Sequence, residues 1–169
     1  GKTEYSSPIQ IPGTTWKSIS SGSYNAYATK TDGTLWAWGK NEKGQLGQNN
    51  LTKYSSPVQI PGTTWSNISA GVFSSFATKT DGTLWSWGYN SNGNLGQNNR
   101  TEYNSPVQVP GTTWSTKIST NGGFVMAVKT DGTLWAWGND DAGMGGRNTT
   151  NPDGLRSSPI QIPGTSWSA

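Results

Sequence analysis

Few side chains in this chain can do covalent or acid–base chemistry, and their types narrow the options at once. The 169 residues include no His and no Cys. Ser–His–Asp and Cys–His arrangements are therefore impossible, and the commonest general base is missing. Disulfides and thiolate zinc sites are excluded on the same ground. Nine carboxylates remain. Asp32, Asp81 and Asp131 each precede a Gly between two β-prone runs, so turn chemistry accounts for them. Glu4, Glu42, Glu102 and Asp153 stand alone in the sequence. Asp140-Asp141 is the one adjacent acidic pair, and it lacks the alternating Asp/Asn spacing of a calcium loop. Isolated carboxylates in loops do not define a glycosidase. The run "GKNEKGQLGQNN" has no Gly-Lys-Ser/Thr step, so its glycines read as turns, not as a phosphate cradle. We expect no enzyme, no cofactor and no metal.

What remains is tryptophan, in the pairs "TDGTLWAWGK" (Thr31 to Lys40), "TDGTLWSWGY" (Thr80 to Tyr89) and "TDGTLWAWGN" (Thr130 to Asn139). Such indoles either stack on sugars, bases or a partner, or pack blades of the fold together. Composition bears on the choice. Leu, Ile, Val and Phe total only 24, so the ten Trp and six Tyr must supply much of the apolar area of any core. With 23 Gly and 9 Pro the chain reads as all-β, rich in turns. A formal net charge of +3, with scattered Lys and Arg, is a weak nucleic-acid footprint. No apolar run is long enough for a membrane span or signal peptide. The abrupt ends suggest a fragment.

One segment organises the sequence. "SSPIQIPGTTW" (Ser6 to Trp16) returns as "SSPVQIPGTTW" (Ser55 to Trp65), "NSPVQVPGTTW" (Asn104 to Trp114) and "SSPIQIPGTSW" (Ser157 to Trp167). Counted from the Pro, repeat 1 spans 8–56, repeat 2 spans 57–105 and repeat 3 spans 106–158; 159–169 starts a fourth. The third repeat is longer, with one extra residue near Ser115 to Lys117 and three more in "NDDAGMGGRNTTNPDGLR".

Asp-Gly between β-prone runs predicts a two-residue hairpin loop of type I′. That places Thr31 opposite Thr34, Thr29 opposite Trp36, Tyr27 opposite Trp38 and Ala28 opposite Ala37. The same register pairs Phe76 with Trp87, Ala77 with Ser86, Met126 with Trp137 and Ala127 with Ala136. Each hairpin then has one bulky and one small face, a shape suited to stacking on copies of itself, as propeller blades do. A β-solenoid would use shorter repeats without the hairpin. On this reading Trp38, Trp87, Trp137, Tyr27, Phe76 and Met126 are packing residues, as are Trp36, Trp85 and Trp135.

The run through Trp16, Ile19, Gly22, Thr31, Asp32, Gly33, Trp38, Gly39, Gly44, Leu46 and Gly47, repeated in phase, resembles the regulator of chromosome condensation repeat. The resemblance covers nearly the whole chain and implies β-propeller blades, commonly seven to a ring. The chain departs from the family by having no His after the "SxG" step, where Asn25 and Ser74 stand. Asn121 replaces Gly22 and Gly71, and Gly145 replaces Leu46 and Leu95. Three blades cannot close a ring of roughly four to eight. The chain is therefore expected to pair with another copy or with further blades.

With tryptophan assigned to packing, function moves to positions where the repeats diverge. After each "WG" come "KNEKGQLG", "YNSNGNLG" and "NDDAGMGG", which make Lys40, Lys43, Tyr89, Asn90, Asp140 and Asp141 the candidate contact residues. A second divergent phase is "LTKYSSP", "RTEYNSP" and "TTNPDGLRSSP". Sequons at Asn50, Asn67, Asn99 and Asn148 mark exposed loops more than glycosylation. The resemblance implies a non-enzymatic protein-interaction module. The family includes a nucleotide-exchange factor, secreted β-lactamase inhibitors and bacterial and viral arrays. The Asn/Thr/Gly-rich, Cys-free character favours the last group, an extracellular or virion setting and an adhesion role. The alternatives are an exchange and chromatin-binding propeller, or a carbohydrate-binding one. A plant ultraviolet-B receptor of this fold sets Trp beside Arg, but no Trp here has an Arg neighbour in sequence. No nucleic-acid partner is expected.

Overall fold

The computed structural model describes residues 6–146, 154–164 and 166–167. Glu4, Asp153, the Asn148 sequon and most of the three-residue insertion lie outside them. The described strands form three antiparallel four-stranded sheets. Blade 1 comprises β1 (Trp16–Ser21), β2 (Asn25–Lys30), β3 (Leu35–Gly39) and β4 (Tyr54–Ile60). Blade 2 comprises β5 (Trp65–Ala70), β6 (Ser74–Lys79), β7 (Leu84–Gly88) and β8 (Tyr103–Gln108). Blade 3 comprises β9 (Trp114–Thr120), β10 (Phe124–Lys129), β11 (Leu134–Asn139) and β12 (Leu155–Ile162). Strand order follows the chain within each sheet, as in a meander. β5 touches β1 and β9, so the first strand of each blade lies innermost. Each of the last three "SP" segments forms a fourth strand and therefore ends a blade. Its Pro sits on that outer edge at an irregularity of the β3–β4 type ladder, where a missing N–H is tolerated.

The hairpin differs from the predicted one by a single step. Lys30 N donates to Thr34 O at 2.9 Å and Gly33 N to Lys30 O at 3.1 Å, closing a three-residue loop over Thr31–Gly33. Only Gly33 has positive φ, at 81°. This is a type I turn followed by a left-handed Gly, not type I′. The cause is the Asp side chain: Asp32 Oδ1 accepts from Thr34 N (3.0 Å) and Thr34 Oγ1 (2.7 Å), which lets Asp keep ordinary φ. Thr34 Oγ1 in turn accepts from Trp36 Nε1 at 2.9 Å. The same cascade runs through Asp81, Thr83 and Trp85, and through Asp131, Thr133 and Trp135.

A one-residue shift changes every opposed pair. Tyr27 faces Ala37, Ala28 faces Trp36 and Ala26 faces Trp38. Phe76 faces Ser86, Ser75 faces Trp87, Met126 faces Ala136 and Val125 faces Trp137. Both Trp of a pair do share one side, but each side now alternates large and small across strands, so the expected division into a bulky and a small face is corrected. Large residues of one blade fill gaps on the next. Tyr27, Leu35, Ala37, Leu46 and Ile60 of blade 1 pack on Trp65, Ile68, Ala77 and Trp87 of blade 2. Phe76, Leu84, Leu95 and Val109 pack likewise on Trp114, Val125, Ala127 and Trp137.

Polar clasps fix the spacing between blades. Gly33 O accepts from Trp65 N at 2.9 Å and Gly82 O from Trp114 N at 2.9 Å. Gly33 must be Gly twice over: its φ is left-handed, and a Cβ would come within 3.0 Å of Thr64 N. Between blades 1 and 2, Gln45 O accepts from Trp87 Nε1 (2.7 Å), Tyr27 Oη (2.7 Å) and Ser75 Oγ (3.0 Å). Between blades 2 and 3, Trp137 Nε1 donates to Asn94 O at 2.7 Å. There Phe76 and Val125 replace Tyr27 and Ser75, so hydroxyls change to apolar groups on both sides of the junction together.

Candidate functional site

Each blade has two ends. One carries the Thr-Asp-Gly hairpin; the other carries the turn after its first strand and the long loop after its third. That loop is divergent in sequence yet rigid. Asn41 Oδ1 accepts from Leu46 N (2.9 Å), while Nδ2 donates to Asn50 O (2.9 Å) and Thr52 O (3.0 Å). Asn90 repeats this with Leu95 N, Asn99 O and Thr101 O. Asp140 holds the equivalent place, accepting from Gly145 N. A carboxylate cannot donate the two bonds the amide gives; instead Arg156 Nε approaches Asp140 Oδ2 at 3.3 Å. Asn90 is 0 % exposed and Asp140 3 %. These two predicted contact residues are thus the internal hubs of their loops, and neither side chain is available to a partner. Asp141 is exposed.

The other three predicted residues come together. Tyr24, 55 % exposed, stacks on Phe73 with ring centroids 6.5 Å apart, and Phe73 meets Tyr89 edge-on at 6.5 Å. Lys40 Nζ lies 4.5 Å from the Tyr24 ring, and Lys43 Nζ 5.3 Å from the Tyr89 ring. Lys43 also pairs with Glu102 across the blade boundary at 3.2 Å. The result is a Lys–Tyr–Phe–Tyr–Lys strip spanning blades 1 and 2 on the long-loop end. Its cations are screened surface charges, each worth about 0.5–1 kcal/mol to its ring. Sequence reasoning missed Tyr24 and Phe73. They occupy one repeat position that becomes Gly123 in blade 3, a divergence visible in the sequence but outside the segment after "WG". The strip ends there.

Two further features bear on ligands. The amide nitrogens of three sequons serve the fold: Asn50 Nδ2 donates to Tyr54 Oη, Asn99 Nδ2 to Tyr103 Oη and Asn67 Nδ2 to Thr116 O. The first Trp of each pair is capped by a cation. Lys30 lies 4.8 Å from the Trp16 ring and 4.5 Å from Trp36, and Lys79 and Lys129 do the same in blades 2 and 3. No Arg is involved. Of the packing residues, Trp87, Trp137, Tyr27 and Phe76 are fully buried, whereas Trp38 and Met126 are half-buried at opposite ends of the arc.

No curated protein sequence matches the chain. Solved structures do. Prp20p from Saccharomyces cerevisiae, described with its binding to Gsp1p and histones, superposes with a TM-score of 0.77 at 21% identity over 90% of this chain and 39% of that one. Yeast RCC1 (Prp20) bound to Kap60 gives 0.76 at 20% over 92% and 40%. Human WBSCR16 gives 0.74 at 19% over 87% and 39%. At these identities the likeness is one of fold, and the chain spans about two-fifths of each. The regulator of chromosome condensation (RCC1) repeat matches at residues 32–78 and 81–128, and a second form of that repeat matches at 16–45 and 65–94. Three in-phase blades, the Asp-Gly hairpins and these matches together place the chain in the regulator of chromosome condensation repeat family.

Proposed function

We propose that the chain is a non-enzymatic protein-binding module and that the strip Lys40, Tyr24, Phe73, Tyr89 and Lys43, together with the exposed Asp141 of blade 3, is its contact face. The observation that carries this is the strip itself. It joins three aromatic rings with exposed edges, held by a rigid loop scaffold, at positions where the repeats differ. Tyr and other aromatics are enriched in interface hot spots, and a scaffold ordered beforehand lowers the entropy lost on binding. The Lys at each end suits a partner that brings carboxylates around an apolar segment. The fold neighbours named with Gsp1p, histones and Kap60 support the class of function and not the partner. Adhesion at a cell or virion surface is the form of partner binding that the Asn/Thr/Gly-rich, Cys-free composition suits.

The test is a paired measurement. A protein captured by the chain and identified by mass spectrometry is titrated against the parent and against Tyr24→Ala/Tyr89→Ala. We expect at least a tenfold loss of affinity with an unchanged melting temperature. Equal affinity for the variant would remove the strip from the contact face. Accelerated nucleotide release from a small GTPase, or binding on a glycan array, would move the function to another class.

A further inference from the structure

One difference between the repeats plays no part in the contact strip. The turn after the first strand reads Gly22-Ser23 in blade 1, Gly71-Val72 in blade 2 and Asn121-Gly122 in blade 3. An Asn followed by Gly sets an electrophile beside a nucleophile: the side-chain amide carbon and the next backbone nitrogen. Whether the two react depends on the turn that holds them.

In blade 3 the turn favours the reaction at each atom involved. Asn121 Oδ1 accepts from Phe124 N at 3.1 Å and more loosely from Gly123 N at 3.4 Å. The rings closed by these bonds contain both Cγ of Asn121 and N of Gly122, which keeps the pair close. The two N–H groups face the oxygen on which charge builds when the amide carbon is attacked, the arrangement of an oxyanion hole. Gly122 N makes one long contact, 3.4 Å to Thr120 Oγ1, so its N–H is held by little. Gly122 has a φ of 100° and no side chain to shield that nitrogen. Asn121 is exposed and borders a hollow shared with Ser21, Gly71 and Val72, so water reaches it from between the described blades. Every protein group the step uses belongs to residues 121–124, and none depends on what adjoins the arc.

We infer that Asn121-Gly122 is a self-modification site, at which the folded turn promotes deamidation. Solvent base takes the Gly122 N proton, and the nitrogen attacks Asn121 Cγ. The new N–C bond closes a five-membered imide; the Cγ–Nδ2 bond breaks and Nδ2 leaves as ammonia, taking a proton from water. A water molecule then opens the imide at either carbonyl, giving aspartate or isoaspartate, with no change in oxidation state. Isoaspartate inserts one more backbone atom between β9 and β10. Gly122 is packed there on blade 2, where a Cβ would come within 2.9 Å of Val72 Cγ2, so the longer turn disturbs that contact. Either product adds a negative charge at the end that carries the aromatic strip. The chain has one other Asn-Gly step, Asn92-Gly93, and it is built differently. Gly93 N donates to Asn90 O at 2.9 Å, and Gly93 is buried, with Ser157 Cα 2.7 Å from where a Cβ would stand. Its nitrogen is engaged and its backbone has no room to close a ring.

The 169-residue chain is incubated folded and in urea, and the peptide spanning each Asn-Gly step is followed by mass spectrometry for amide-to-acid conversion. An isoaspartyl methyltransferase counts the isoaspartate. In the folded chain Asn121 should convert roughly tenfold faster than Asn92, a barrier difference of about 1.4 kcal/mol. Urea should leave Asn121 no faster than in the folded chain and should accelerate Asn92. The rate at Asn121 should climb as pH is raised, because the nucleophile is the deprotonated nitrogen. Asn121→Gly, which installs the residue of blades 1 and 2, should abolish conversion in this turn with an unchanged melting temperature. A folded chain in which Asn121 converts no faster than Asn92, or several times slower than in urea, overturns the proposal, as does a rate indifferent to pH.

Discussion

Trp87→Ala is the sharpest probe of what the indoles do. The side chain is 0 % exposed, meets Trp65 edge-on at 6.2 Å and donates to Gln45 O at 2.7 Å. Removing a buried indole costs about 3–5 kcal/mol, the lost transfer energy together with the cavity. No further penalty for an unpaired acceptor is expected, because Gln45 O keeps its bonds from Tyr27 Oη and Ser75 Oγ. For a chain of this size each kcal/mol shifts the melting temperature by about 2–4 °C, so Trp87→Ala should lower it by roughly 6–20 °C. Trp38→Ala removes the same group from a half-open site with no hydrogen bond to lose. Measured by calorimetry, it should cost less than half as much. If Trp87→Ala melts within about 2 °C of the parent, or if Trp38→Ala costs as much as Trp87→Ala, the packing assignment is wrong.

Three other outcomes follow from the junctions and turns. Tyr27→Phe should cost about 0.5–1.5 kcal/mol in denaturant unfolding, and adding Ser75→Val, which recreates the Phe76–Val125 pair, should recover part of it. A second substitution that adds its full independent cost would show that the hydroxyls do not act together. Burial pushes the Tyr27 phenol well above its ordinary 10.0. Its contribution is thus fully present below pH 10 and lost as pH rises beyond, so Tyr27→Phe should flatten the alkaline limb of the stability curve. Asp32, Asp81 and Asp131 are held below 3.8, chiefly by the hydroxyls of Thr34, Thr83 and Thr133. Their contribution is present above about pH 4 and lost as pH falls through the lowered values. Replacing all three with Asn, which keeps the accepting Oδ1, should leave stability at pH 7 nearly intact and weaken its fall between pH 4 and 2; an unchanged fall would assign acid sensitivity elsewhere.

The repeats, the hairpins and the blade architecture were legible because they depend on local chemistry. Asp-Gly dictates a turn wherever it stands, and a Pro-bearing edge strand announces itself every fifty residues or so. The Trp pair sits on one side of its strand whatever the register, since side chains alternate with period two. The register did not follow from the dipeptide alone. The Thr two residues beyond the Asp offers a hydroxyl and an N–H to the carboxylate, and these decide between a two- and a three-residue loop.

The contact residues divided for a related reason. Divergence after "WG" marked Lys40, Tyr89, Asn90 and Asp140 alike, but a loop of polar residues must satisfy its own backbone before it offers anything to a partner. Asn90 and Asp140 were spent on that. Only the tertiary arrangement, by bringing the turn after one strand beside the loop after another, put Tyr24 and Phe73 between Lys40 and Tyr89. Local hydrogen bonding made the blades readable from sequence; the surface between blades belongs to residues about fifty positions apart, and only their packing in space says which of them meet.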